Sequence, residues 1–224
     1  MTKARRIHLP AALTLMALLA GCNFPTATPA ASPATIDPEQ PTASPIPPSP
    51  AAARLPQSLY YLSEASGSVQ VWRLDRDGVS QSQVTEAEEG VDAFDISAAS
   101  GDLAYVSANR LWLNSLEGDE PGLIADGGSF DEEDPDYYYR DIVSNPSFSP
   151  DGRYLAYGLD GVHIVDLESG EDRHVLQNLL SEAEGGQVFV QELYTPLAWS
   201  PDGMRLLISI PFNEGSSLGF LDPF

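Results

Sequence analysis

Three stretches of this chain align without gaps: Ser97-Ala-Ala-Ser-Gly-Asp-Leu-Ala-Tyr105, Ser149-Pro-Asp-Gly-Arg-Tyr-Leu-Ala-Tyr157 and Ser200-Pro-Asp-Gly-Met-Arg-Leu-Leu-Ile208. The spacings are 52 and 51 residues, and each copy follows a large apolar residue, Ile96, Phe148 or Trp199. A fourth, incomplete copy begins at Leu59-Tyr-Tyr-Leu62, 44 residues before Leu103-Ala-Tyr-Val106. A unit that recurs at such a period cannot bury its own apolar face and has to stack on its neighbours. That requirement excludes most folds before any residue is assigned to a strand or a helix.

Within each unit the pattern is that of short strands divided by turns. Ser149-Pro150-Asp151-Gly152 and Ser200-Pro201-Asp202-Gly203 are tight turns. Proline presets φ, aspartate can bond its own backbone, and glycine accepts positive φ without steric cost. An apolar, β-prone strand follows, as in Arg153-Tyr-Leu-Ala-Tyr157. A second hairpin through Asp160-Gly161 leads to Val162-His-Ile-Val-Asp-Leu167, and Glu168-Ser-Gly-Glu171 turns into a more polar outer strand from Arg173 to Leu176. Similar strands stand at Val69-Gln-Val-Trp-Arg-Leu74 and Arg110-Leu-Trp-Leu-Asn114. Four strands per unit of roughly 44–52 residues is the period of a β-propeller blade. The expected architecture is all-β: strands two to four of one blade, two complete four-stranded antiparallel blades, and the first three strands of another. Trp72, Trp112 and Trp199 are expected to occupy equivalent positions in blade-to-blade packing. The chain stops at Leu218-Gly-Phe-Leu-Asp-Pro-Phe224, which reads as a third strand. About four blades, two of them partial, predict a truncated ring or one completed by another chain, whose open edges would invite association.

Phe148-Ser-Pro-Asp-Gly-Arg-Tyr-Leu-Ala-Tyr157 and Trp199-Ser-Pro-Asp-Gly-Met-Arg-Leu-Leu-Ile208 resemble the (F/W)-S-P-D-G-(K/R)-x-(L/I)-(A/V) signature of TolB-like, WD-type β-propeller repeats. The resemblance covers roughly residues 57–224, and the copy at Ser97 has lost Pro-Asp-Gly from its turn. In that family the motif builds the start of each blade, so it speaks for fold and not for activity. It implies a protein or peptide partner. Propellers of this kind also precede prolyl-oligopeptidase catalytic domains, so the alternative expectation is the propeller portion of an exported hydrolase or peptidase.

The first residues are not part of that architecture. Lys3, Arg5 and Arg6 form a positive start, and Ile7 to Ala20 is an uncharged apolar run. It falls short of the roughly 20 residues a stable span needs and reads as a secretory signal over residues 1–21. Leu19-Ala20-Gly21-Cys22 matches the bacterial lipobox at all four positions. In lipobox proteins a diacylglycerol is attached to the cysteine sulfur and the signal is cut just before it. Cys22 is the single cysteine, which leaves it no internal disulfide partner. Two or three acyl chains anchor firmly, at about 0.8 kcal/mol per buried methylene. Residues 22–56 are then a lipidated cysteine and a tether: ten of the 34 residues from Asn23 to Pro56 are proline, most of the others Ala, Ser and Thr. Such a segment favours extended polyproline II and reaches on the order of 100 Å at about 3.1 Å per residue. The expectation is an exported protein, lipid-anchored to the cell membrane or outer membrane and facing the extracytoplasmic side.

Charge narrows the partners. The chain carries 11 basic and 33 acidic residues, and removal of the signal leaves 8 against 33, a net of −25. A surface of that sign repels nucleic acid and anionic headgroups. No phosphate loop, dinucleotide fingerprint or basic patch is present, and no cofactor is expected.

The most unusual local stretch is Phe130-Asp131-Glu132-Glu133-Asp134-Pro135-Asp136-Tyr137-Tyr138-Tyr139. It lies where the fourth strand of one blade gives way to the first of the next. Loops there carry recognition and tyrosines suit interfaces, so it is a candidate recognition loop, the alternative being a solvated insertion. Asp131, Glu133 and Asp134 are weak Ca²⁺ candidates, because the spacing fits no EF-hand. Asp75-Arg-Asp-Gly78 resembles half of a calcium loop and reads more simply as a hairpin turn. Gly215-Ser-Ser-Leu-Gly219 satisfies G-x-S-x-G, but His8, His163 and His174 all precede it, and the elbow requires a histidine downstream. It reads as part of a hairpin, and no catalytic residue is expected. His163 falls in the middle of a strand and His174 in an edge-like outer strand, and without a cysteine, a second nearby histidine or a fitting carboxylate spacing neither is expected to be a metal ligand.

Overall fold

Each apolar Leu-Ala-Tyr run of the repeat is buried along its whole length, because it is the second strand of a blade sandwiched between two others. The computed structural model describes residues 54–115, 120–129, 131, 133, 134, 136–182, 187–212 and 214–224. These all fall within the unit Pro48–Phe224. Cys22, the rest of residues 1–53, and Glu132 lie outside the described residues.

The first sheet is β1 (Leu59–Ser63), β2 (Gln70–Leu74) and β3 (Gln81–Gln83). The second is β4 (Ala93–Ile96), β5 (Leu103–Ser107), β6 (Arg110–Asn114) and β7 (Gly122–Asp126). The third is β8 (Ser144–Phe148), β9 (Tyr154–Gly158), β10 (Gly161–Asp166) and β11 (Glu171–Gln177). The last is β14 (Thr195–Trp199), β15 (Leu206–Phe212) and β16 (Gly215–Leu221). Every sheet is an antiparallel meander in chain order. β8 packs between β4 and β14, so the first strands of successive sheets stand side by side. Successive four-stranded meanders with their first strands adjacent are the blades of a β-propeller, here a partial one. Two elements were not in the repeat: the helical turn α1 (Tyr137–Arg140) and a hairpin of β12 (Leu179–Glu182) and β13 (Val188–Glu192), both between blades.

Side chains alternate across a strand, so each blade meets its two neighbours with alternate residues. From β9, Leu155 and Tyr157 join Ala104, Val106 and Leu111 of the second blade. Ala156 faces the other way, where it meets Leu206 and Ile208 of the last blade with Val162 and Ile164. Val71 of the first blade packs with Leu103 and Tyr105 in the same manner. All five residues of β5 are buried as a result. Strands covered on both faces read as continuous apolar runs rather than alternating ones. Each large aliphatic residue so buried contributes roughly 1.5–3 kcal/mol.

The Ser-Pro-Asp-Gly turns are built identically in two blades. Ser149 Oγ accepts from Tyr154 N at 2.9 Å and Asp151 Oδ1 from Arg153 N at 3.1 Å. Ser200 Oγ accepts from Arg205 N at 2.9 Å and Asp202 Oδ1 from Met204 N at 3.0 Å. The serine hydroxyls donate to these carboxylates, which holds both Asp151 and Asp202 below the usual carboxylate range. Gly152 and Gly203 take φ of 74° and 70°. The degenerate copy keeps a positive φ glycine one position later, Gly101 at 82°, and closes on Ser97 by Gly101 N to Ser97 O at 2.8 Å.

The tryptophans depart from expectation. Trp72 and Trp112 are equivalent, each opposite a tyrosine of the preceding strand, Tyr61 or Tyr105. Trp199 instead ends a first strand, at the position of Phe148 and Ile96. Its indole still joins blades, since Nε1 donates to Ser147 O at 3.0 Å. The sequence alignment had already paired Trp199 with Phe148; only strand order separates it from the other two.

Candidate functional site

Successive strands of a meander run in opposite directions. The hairpin between strands two and three therefore emerges at the same end of a blade as the connection onward to the next blade. In the third blade that end gathers the chain's two long inter-blade connections, residues 127–143 and 178–194. Two hairpin residues brace them. Asn109, at φ 56°, and Asp160, at φ 47°, occupy left-handed backbone, which short polar side chains tolerate best after glycine.

Asn109 uses both ends of its amide. Oδ1 accepts from Val143 N at 2.9 Å, and Nδ2 reaches Asp141 O at 2.7 Å, Gly128 O at 3.2 Å and Tyr137 Oη at 3.2 Å. Asp160 joins the opposite side. Its carboxylate accepts from Gln177 Nε2 at 2.8 Å and Arg140 Nη1 at 3.3 Å, and its carbonyl from Asn178 N at 3.0 Å. Asn178 then ties the two connections together, donating to Tyr139 O at 2.6 Å and accepting from Tyr194 N at 2.8 Å. A cavity of about 100 Å³ remains between them, with Tyr138, Tyr139, Asp160 and Tyr194 in its wall.

The site is electronegative. Arg140 is held between Asp136 at 3.0 Å and Asp160 at 3.3 Å, and its guanidinium pKa rises, chiefly through the hydrogen bond to Asp136. Each of those carboxylates keeps a buried Oδ1 with no partner among the described residues. Asp141 is pushed above the usual carboxylate range by burial, then by the charges of Asp134 and Asp160. Burial, with the hydrogen bond to Glu192, pushes the Tyr194 hydroxyl up to about 12.

The candidate recognition loop divides into parts. Asp131 Oδ1 accepts from Glu133 N at 2.9 Å and Asp134 Oδ1 from Asp136 N at 2.8 Å, so both carboxylates cap local turns. Among the described residues no three acidic or histidine side chains are grouped to hold a metal ion. Tyr137 is 5% exposed and anchors the segment, whereas Tyr138, stacked edge-on against it at 5.6 Å, is 65% exposed. Ser217 of G-x-S-x-G sits inside β16 opposite Ile210, not on a strand-to-helix turn. Asp77 of Asp75-Arg-Asp-Gly78 caps the β2–β3 hairpin, accepting from Val79 N and Ser80 N at 2.8 Å.

One constellation corrects the expectation that His163 lacks a nearby histidine. His163 and His174 are direct cross-strand partners with rings stacked 4.3 Å apart at 12°. Tyr157 lies on the other side of His163 at 5.0 Å. Asp172 grips this ladder, accepting from Tyr157 Oη at 2.6 Å and facing His163 Nδ1 at 3.2 Å. His174 Nε2 faces Asp160 O at 2.9 Å, so the ladder leans on the same hub. Parallel rings aim their lone pairs in parallel planes, which gives a single ion no two converging nitrogens. A register count would have found the pair: Asp166 pairs Glu171 across the turn, and three steps outward on each strand meet His163 and His174.

No protein-family model and no curated protein matches the chain. Among solved structures it is similar to TolB from Acinetobacter baumannii, at 17% identity over 75% of this chain and 53% of that one, with a TM-score of 0.43. It is similar to oligogalacturonate lyase from Vibrio parahaemolyticus at 16% identity, covering 75% of this chain and 60% of that one, TM-score 0.43. Porphyromonas gingivalis dipeptidyl peptidase 4 matches at 11% identity over 74% of this chain and 29% of that one, TM-score 0.46. The chain spans just over half the length of the first two. The class is a partial β-propeller, and that assignment rests on the blades themselves.

Proposed function

We propose that the chain is an exported, lipid-anchored propeller module that binds a protein or peptide partner in the cell envelope, without catalysis of its own. The observation that carries this is the convergence of two long inter-blade connections on one end of the third blade, locked by Asn109, Asp160 and Asn178. A rigid brace under an exposed Tyr138 and a surplus of carboxylate presents a preorganised surface for a basic partner. The anchor rests on the lipobox at Leu19–Cys22, and no helix among the described residues is long and apolar enough to cross a membrane. The absence of catalysis is supported by the place of Ser217 within an exposed strand.

Site-specific photo-crosslinking in the native envelope tests the surface. A photoreactive phenylalanine at position 138 should give a discrete adduct, and one at the exposed Met204 of a Ser-Pro-Asp-Gly turn should not. Equal labelling at both positions, or none at 138, overturns the reading. The anchor is checked separately: Cys22→Ser should move the protein from the membrane to the soluble fraction and abolish fatty-acid labelling.

A further inference from the structure

Another cavity lies elsewhere, along the seam between the first and second blades. It encloses about 590 Å³, within the size range of small-ligand sites. Trp112 and Tyr105 form its apolar wall, and Glu88, Glu89 and Glu120 stand at its margin. Arg110 also lines it, but its charge is already met by Asp126 at 3.0 Å. The cavity is therefore an aromatic surface ringed by carboxylates without a free cation of its own among the lining residues. Tyr105 adds a separate observation. It is only 8% exposed, yet its hydroxyl makes no hydrogen bond among the described residues. The hydroxyl oxygen itself is not among the fully buried unpartnered atoms, and with Tyr105 in the cavity wall it is open to a bound polar group. Burial also raises the hydroxyl's pKa, so it stays neutral and keeps both donor and acceptor capacity.

We propose that this cavity binds an arginine side chain carried on a peptide, its guanidinium lying over Trp112, held by Glu88, Glu89 and Glu120, with the Tyr105 hydroxyl as a further partner. A planar guanidinium suits the site better than an ammonium, because it stacks on indole and presents a fork of donors to carboxylates. The inference concerns a different seam from the insertion surface and stands or falls independently of it.

The test is calorimetric titration of the full chain with Nα-acetyl-arginine amide and with its citrulline analogue, a neutral isostere. Saturable binding of the arginine probe is expected, with none for citrulline. Glu88→Gln combined with Glu89→Gln should weaken it about tenfold or more, as for lost charged hydrogen bonds, and Tyr105→Phe by about two- to tenfold. Unchanged melting curves for the variants separate these losses from misfolding. Binding of citrulline as well as arginine, indifference to the paired glutamine substitutions, or no saturable binding overturns the proposal. Free agmatine is the last arm: tighter binding than the peptide-like probe would overturn the peptide-borne source.

Discussion

Replacing Asn109 by alanine should undock the connection between the second and third blades. Val143 is 4% exposed, and its N–H, which Asn109 Oδ1 accepts at 2.9 Å, would be stranded. An unsatisfied buried donor costs about 1–3 kcal/mol. The carbonyl of Asp141 loses its 2.7 Å partner, worth about 0.5–1.5 kcal/mol. Alanine at φ 56° adds the left-handed penalty of roughly 1 kcal/mol. The terms sum to about 4 kcal/mol, in a range of roughly 2.5–5.5, and at about 2–4 °C per kcal/mol the Tm falls by roughly 8–16 °C if the loss is global. Two further variants separate the contributions. Asn109→Gly removes the same hydrogen bonds without the backbone penalty and should be about 1 kcal/mol milder. Asn109→Asp retains the acceptor for Val143 and should fall between wild type and alanine. Chemical denaturation gives the total, and amide hydrogen exchange shows where it is lost, with faster exchange centred on residues 127–143. An Asn109→Ala variant within about 0.5 kcal/mol of wild type, or faster exchange located elsewhere, would refute the claim that this one side chain holds the insertion.

The two motif glycines share a backbone conformation but not surroundings. A Cβ on Gly152 would stand 2.7 Å from Ser97 Oγ and 3.1 Å from Ala99 Cβ, whereas on Gly203 its nearest neighbour is Pro150 Cδ at 3.8 Å. In urea melts Gly203→Ala should cost about 1–2 kcal/mol for its φ alone, and Gly152→Ala about 1–3 kcal/mol more for the clash. For Asp172, burial pushes the pKa up, but the hydrogen bonds from His163 and Tyr157 and the nearby imidazoles outweigh it and hold it below 3.8. Its ionised form therefore stabilises the fold above that value, and the contribution is lost as pH falls through the folded pKa. Urea midpoints measured against pH should show wild type exceeding Asp172→Asn above about pH 4, with the gap closing in more acid solution. Leu206, fully buried between the third and last blades, should cost about 2–5 kcal/mol on truncation to alanine, measured by the same melts.

The repeat made the blades legible because each of its signals is local. Ser-Pro-Asp-Gly forces a turn from four adjacent residues, and Leu-Ala-Tyr is apolar at every position because both faces of a second strand are covered. The first, second, third and last sheets accordingly match the strands expected of them. The inserted hairpin of β12 and β13 was not legible, since Leu179-Leu-Ser-Glu182 follows no blade register and carries no turn motif. The role of Asn109 was hidden for another reason. Its partners, from Gly128 to Val143, are supplied by the next connection in space, and nothing in Ala108-Asn109-Arg110 beyond the turn residue points to them. The expected loop at residues 131–139 was located correctly between blades, but its division into the buried anchor Tyr137 and exposed Tyr138 depends on that same brace. The histidine ladder was readable in principle, from hairpin register rather than sequence spacing.

The two ends of each blade are under different physical constraints, and this explains where the chain varies. At the Ser-Pro-Asp-Gly end the turns pack on one another: Gly152 lies against Ser97 and Ala99, and Gly203 against Pro150. Connections there keep to five or six residues, 97–102, 149–153 and 200–205. At the opposite end the onward connections run over residues 84–92, 127–143 and 178–194, nearly doubling in length from the first to the others. Extra loop length costs little entropy once the ends are fixed, growing only as the logarithm of the residue number. What a longer connection needs is somewhere to satisfy its backbone, and the hairpin residues Asn109 and Asp160 supply it from left-handed positions that a β-branched side chain would not tolerate. The structural motif and the variable surface thus occupy opposite ends of the same strands, so change at the exposed tyrosine and carboxylates of the third blade leaves the turn-on-turn contacts untouched.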